Sequence, residues 1–281
     1  MGCDSRFMIL VTGATGTIGG HVARLLTRSG VPFRAMSRKP MTDGVQADFT
    51  DPASLVKAVA GVDAVFLVTV SPVPSADHDI ALLTAAREAG VRKIVKLSAL
   101  GTGERFEGAT VGVGHLAAEE AIESSGLAWT ILRPPSFASN VLQYRALIAA
   151  EEPLPSLLGD TRQGIVDPRD VAAVAVAALR DSAHDGRRYD LTGPELLTFA
   201  SQAAVLGRVL GRPVEVAEVD PRALWPGMPE ETLRAVSTDI GWARAGGSAY
   251  LTDDVSRVLG RAAGTFEGWV LDHRAQFTGM R

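Results

Sequence analysis

The chain has 281 residues, 46% of them hydrophobic and 21% charged, with a formal net charge of −4. This length holds one large domain or two small ones around a substantial core, and the mildly acidic balance gives no general attraction for nucleic acid. The one cysteine, Cys3, excludes an intrachain disulfide and a cysteine-rich zinc site, so no metal site is expected. No apolar run reaches the roughly 18–20 residues of a membrane span, and the longest candidate, 171–179, is alanine-rich and half that length. Met1–Arg6 resembles a lipidation signal, but Arg6 stands where Ser or Thr is needed, and no apolar signal core follows. The segment reads as a short leader and the protein as cytoplasmic, with no membrane partner.

Phe7–Thr12 (FMILVT) predicts a strand, followed by a glycine-rich turn and a helix with Ile18, Val22, Leu25 and Leu26 on one face, closed by Gly30. Pro32–Ser37 and Val45–Phe49 predict the second and third strands. Asp51-Pro52 opens a helix bearing Leu55, Val56 and Val59, with Asp as cap and Pro at its first position. Asp63–Val70 (DAVFLVTV) is apolar almost throughout, as a parallel strand covered on both faces should be. A helix from Asp77 to Ala89, a strand at Lys93–Ser98, a helix at His115–Ser125 and a strand at Ala128–Arg133 follow. This alternation predicts an α/β fold with a doubly wound parallel sheet. Beyond Pro134-Pro135 the pattern loosens into loops over 151–168, a helix at 169–181, a strand at Arg188–Leu191 and a mostly helical remainder. The expectation is a single domain, with a nucleotide-binding part over about 7–150 and 164–192. A smaller, mostly helical substrate-binding or lid part would comprise 151–163 and 193–281.

In VTGATGTIGG, Gly13, Gly16 and Gly19 stand three apart between a predicted strand and a predicted helix. Such glycines permit a tight turn and close backbone approach, and the helix start offers free N–H groups to a diphosphate. Gly13, Thr15, Gly16, Thr17, Ile18 and Gly19 are the candidate contacts. The second strand ends in Ser37-Arg38-Lys39, with no carboxylate to bind ribose hydroxyls. A hydroxyl and two cations suit a ribose 2′-phosphate, which selects NADP over NAD. Asp48-Phe49 stand where they border an adenine, or where Asp48 caps the next turn.

The stretches VTGATGTIGG, FRAMSR, AGVRKIVKLSALG, HLAAEEAIESSGLAWTILRPPSF and GIVDPRDVAAVAVAALRD followed by YDLTGPE span nearly the whole chain. In them the sequence resembles the short-chain dehydrogenase/reductase superfamily, in its atypical NmrA-like branch. The resemblance implies a Rossmann sheet ordered 3-2-1-4-5-6-7 with NADP(H) along the carboxyl ends of its strands. It also implies that Thr69, Leu97 and Ser98 flank the ribose and nicotinamide, with Pro135, Ser136 and Phe137 beside the carboxamide. The family's usual acid pair, a tyrosine and a lysine in Y-x-x-x-K, is missing. Registered on LAAEE, the tyrosine position holds Val111 and the lysine position His115.

The catalytic candidates are therefore Ser98, a hydrogen-bond partner for a substrate carbonyl or a strand-end hydroxyl serving local backbone, and His115, an acid near neutral pH, a cofactor contact to the ribose hydroxyls, or a plain helix-start residue. Glu119 reads as an exposed carboxylate that lies one turn from His115. Tyr144 reads as packing, and Asp167-Pro168-Arg169-Asp170 as a helix cap. The function expected is an NADPH-dependent reductase of a quinone or an aromatic, polyketide-type ketone, its proton coming from substrate, water or His115. The alternative is a non-catalytic NADP(H)-binding redox sensor of NmrA type. An epimerase or dehydratase is disfavoured by Arg38 and the absent tyrosine.

Overall fold

The computed structural model describes residues 7–69 and 73–278. The reading of Met1–Arg6 as a leader, and the end of the predicted fourth strand at Val70, lie outside the described residues. The chain divides into two compact units, one of residues up to Thr102 with Val113–Arg133 and Val171–Tyr189, the other of Gly103–Gly112, Pro134–Asp170 and Asp190–Arg281.

The first unit is built on β1 (Ile9–Val11), α1 (Thr17–Arg28), β2 (Phe33–Ser37), β3 (Gly44–Gln46), α2 (Pro52–Val59), β4 (Ala64–Leu67), α3 (Asp77–Glu88), β5 (Lys93–Leu97), α4 (Val113–Glu123) and β6 (Ala128–Arg133). From Val171 onward it includes α5 (Pro168–Arg180) and then β7 (Arg187–Asp190). The sheet order is β7-β6-β5-β4-β1-β2-β3, the Rossmann order that the resemblance implies. Its registered pairs from β3 to β6 are all parallel. All four residues of β4 are buried, as its apolar run requires. Leu10, Met36, Leu55, Val65, Leu82, Ile94 and Ile122 join strands and helices in one core. Local signals act as read: the Asp51 side chain accepts from the Ala53 and Ser54 amides with Pro52 at the first helical position. β3 ends at Gln46, short of the predicted Phe49, because Asp48 turns the chain by accepting from the Thr50 amide and hydroxyl at 2.9 and 2.7 Å.

The second unit holds its own core, in which Ile148, Leu154, Leu206, Phe266, Trp269 and Phe277 pack together. The segment expected to be loop, 151–168, contains short strands at Leu154–Ser156 and Gln163–Gly164, which pair with Val216–Glu218 and Leu196–Leu197. Two- and three-residue strands, one with a central proline, are too short to show a period of two. Asp167 caps α5, accepting from the Arg169 amide at 2.8 Å, and Asp170 pairs with Arg261 at 2.6 Å, so both carboxylates hold structure together. Among the described residues no helix is long and apolar enough to cross a membrane.

Candidate functional site

At the carboxyl end of β1 the buried Thr12 fastens two strand ends. Its hydroxyl donates to Phe66 and Val68 carbonyls at 3.1 and 2.9 Å and accepts from the Val68 amide at 2.7 Å. Gly13 then takes φ +59°, a left-handed conformation that glycine adopts without strain. The Gly16 amide donates back to the Gly13 carbonyl at 2.8 Å. A Cβ on Gly19 would lie 2.2 Å from that same carbonyl oxygen, so only glycine lets the first turn of α1 sit on the loop. Gly16 caps α1 with no side-chain hydrogen bond, and the first turn carries no acidic residue. Its leading N–H groups have no intrahelical acceptor, and Thr15, Gly16 and Thr17 are exposed. This surface fits a diphosphate: backbone donors, the positive end of a helix dipole and no competing carboxylate.

At the end of β2, the Ser37 hydroxyl accepts from the Lys39 amide at 3.1 Å, and the Arg38 carbonyl accepts from the Gln46 side chain at 3.1 Å. Arg38 and Lys39 are exposed on this pinned turn. Asp48 is held below the usual carboxylate range by its Thr50 hydrogen bonds first, with lesser help from the Arg38 and His78 charges. The Phe49 ring stacks on His78 from α3, centroids 5.3 Å apart and 16° from parallel. Asp48 thus serves its own turn, while Phe49 shares an aromatic face that the sequence pattern does not reveal.

Two buried polar clusters occupy the carboxyl ends of β4, β5 and β6. In the first, Thr69, just past β4, donates to Asp79 of α3 at 2.7 Å, and Asp79 pairs with Lys96 of β5 at 2.8 Å. In the second, Ser98 donates to Glu119 of α4, and Glu119 also accepts from Arg133 at the end of β6, the Nε contact being 3.0 Å. Arg188 approaches the same carboxylate at 3.8 Å. Glu119 is 1% exposed, which corrects its reading as a surface group: α4 turns it inward, where two arginines and a hydroxyl compensate its charge. Because the Ser98 proton is directed at Glu119, the oxygen is left with lone pairs to offer and is poorly set to donate to a carbonyl.

His115 lies near both clusters electrostatically. Burial, then the Lys96 charge, push its pKa down to about 4 against the opposing pull of Asp79 and Glu119. At neutral pH it is an uncharged imidazole. Val111, at the tyrosine position, is buried in the second unit. Of the three tyrosines, Tyr144 packs edge-on against Phe199 and has its pKa raised by burial, Tyr189 meets His184 at 2.8 Å, and Tyr250 donates to Asp190 at 3.0 Å. Leu97 pairs with Leu132 in the sheet. Pro135, Ser136 and Phe137 belong to the second unit, where the Ser136 carbonyl accepts from the Val166 amide at 3.0 Å and Phe137 bridges Val166. Asp79, Lys96, Arg133 and His78 were not among the sequence candidates. The one available signal was the pair of lysines, Lys93 and Lys96, inside KIVKL, a strand whose other residues are apolar.

The chain matches the family described as NAD(P)H-binding over residues 13–182. It is 40% identical over 282 residues to the (4-alkanoyl-5-oxo-2,5-dihydrofuran-3-yl)methyl phosphate reductase of Streptomyces griseus, covering 96% of this chain and 99% of the relative. It is 35% identical over 286 residues to the NAD(P)H azoreductase of Xenophilus azovorans, with coverage of 96% and 99%. Among solved structures, NADPH-dependent quinone oxidoreductase QOR2 of Escherichia coli in complex with NADPH is similar at a TM-score of 0.79 and 25% identity, over 95% of this chain and 99% of that one. With the glycine loop, the sheet order and these relatives in agreement, the chain belongs to the NAD(P)H-binding family.

Proposed function

We propose that the protein is an NADPH-dependent reductase of an electron-poor conjugated small molecule: a quinone, an aromatic or polyketide-type ketone, or an acceptor of similar electronic character. Gly13, Thr15, Gly16, Thr17, Ile18 and Gly19 would hold the diphosphate, Ser37, Arg38 and Lys39 the 2′-phosphate, and Phe49 the adenine side. Thr69, Leu97, Ser98 and His115 would line the ribose and nicotinamide side. The reduced cofactor, when bound, supplies a hydride.

The observation that carries the substrate class is the lack of a strong acid at the expected positions among the described residues. Val111 has no proton to give, His115 is uncharged, and the Ser98 proton is committed to Glu119. A simple ketone would need a strong donor at its oxygen. A quinone, an azo bond or a carbonyl-flanked double bond spreads the incoming charge over its own π system and tolerates protonation by water. The two relatives named for an azo compound and an oxo-dihydrofuran are consistent with that shared chemistry. The purified protein should consume NADPH when given quinones, azo dyes or acyl-butenolides, and much more slowly with isolated ketones. No consumption across that panel, with NADPH still bound, would favour the sensor reading, to which the buried valine at the tyrosine position also points.

A further inference from the structure

Lys96 and Asp79 are 0% and 3% exposed. A buried ion pair loses hydration that its mutual attraction seldom fully repays, and apolar residues of the same volume usually stabilise a fold as well. The neighbouring Lys93, by contrast, has a plain structural role, since its ammonium caps the end of α5, donating to the Ala178 and Asp181 carbonyls at 2.9 Å each. Among the described residues Lys96 meets no such carbonyls. Its partners are Asp79 at 2.8 Å and the Thr69 hydroxyl at 3.5 Å. Thr69 in turn follows Val68, which Thr12 ties to the start of the phosphate loop. A continuous polar chain therefore runs from the diphosphate cradle through Thr12, Val68 and Thr69 to Asp79 and Lys96.

We propose that Lys96 and Asp79 are a charge-balanced positioning pair for the nicotinamide-ribose side of the cofactor, fixing Thr69 while presenting no net charge to the ring. The neutrality is the functional point. The nicotinamide ring is cationic when oxidised and neutral when reduced, so an unbalanced buried charge at this place would bias the site toward one redox form. A lone Lys96 would disfavour the oxidised form, and a lone Asp79 would favour it. The inference rests on the cofactor placement given above, and binding measurements separate the two.

The test is titration of NADP+ and NADPH separately into wild type, Asp79→Asn, Lys96→Met and Thr69→Val. Asp79→Asn is measured at about pH 6.5 and Lys96→Met at about pH 8.5, each against wild type at the same pH. His115 is uncharged at both values. The expected result is a rise of about three- to tenfold in the ratio of Kd(NADP+) to Kd(NADPH) for Asp79→Asn and a fall of similar size for Lys96→Met. A loss of structure alone would move both variants the same way. Thr69→Val changes no charge and leaves the fold's ion pair in place. It should weaken both forms several-fold with the ratio unchanged, and it serves if a charge variant does not fold. Ratios that stay constant or shift in one direction in both charge variants, or a Thr69→Val protein that binds like wild type, would overturn the inference while leaving cofactor binding intact. If wild type bound neither form, the cofactor placement would fail, and the inference with it.

Discussion

Between Gly13 and Gly19 the chain presents backbone: amides at an uncapped helix start, a loop that admits no Cβ at Gly19, and no charged side chain. At the ends of β4, β5 and β6 it presents buried charge, with Asp79 and Lys96 in one cluster and Glu119 and Arg133 in the other. The first region suits a ligand part that is always a dianionic diphosphate, since amides and a helix dipole are fixed and cannot be retuned. The second suits a ligand part whose charge changes during turnover, since paired charges can be balanced against it. Rigidity therefore belongs to one end of the site and electrostatic balance to the other.

The largest expected effect breaks the backbone region. Gly19→Ala drives a methyl to 2.2 Å from the Gly13 carbonyl, so α1 must move; NADPH affinity should fall by about a hundredfold or more, read by calorimetry, with the thermal midpoint also lowered. Next, Glu119→Gln leaves Arg133 without its carboxylate. Stability should drop by about 2 kcal/mol in urea melts, with the diphosphate contacts unaffected in kind.

The charge region should also show in acid. The His115 pKa is lowered from 6.5 to about 4, so the folded state holds the neutral ring while the unfolded chain takes a proton below about pH 6.5. Its contribution is fully present above that pH and is lost progressively as pH falls to about 4. Urea melts at about pH 7.5 and about pH 5 should show this loss, and His115→Gln should flatten it. Arg38→Ala should leave stability unchanged and reduce the preference for NADPH over NADH by about tenfold. Smallest, and outside both regions, Asp51→Ala removes the α2 cap and should cost about 1 kcal/mol of stability with cofactor affinity untouched.

The backbone region was legible in the sequence because its parts are neighbours: strand, glycines and helix start lie within one short stretch, and each glycine has a local reason. The alternation gave the parallel α/β fold, and the resemblance implied the sheet order. The charge region was only half legible. Ser98 and His115 were singled out, but Ser98 meets Glu119 across 21 residues and Glu119 meets Arg133 across 14, and no periodicity announces which carboxylate will turn inward. Glu119 looked like a surface residue because glutamate on a helix usually is one. Lys96 was the exception that could have been read, a charge in a strand covered on both faces, which demands a buried partner. The short strands of 151–168 were missed because pairing, not pattern, makes them strands.

The central claim is that the start of α1 holds a diphosphate whose extra ribosyl phosphate is met by Arg38. Calorimetric titration of wild-type protein with NADPH and with NADH tests it most directly. The account predicts that NADPH binds and does so more tightly than NADH; no heat with NADPH, or tighter binding of NADH, would contradict it.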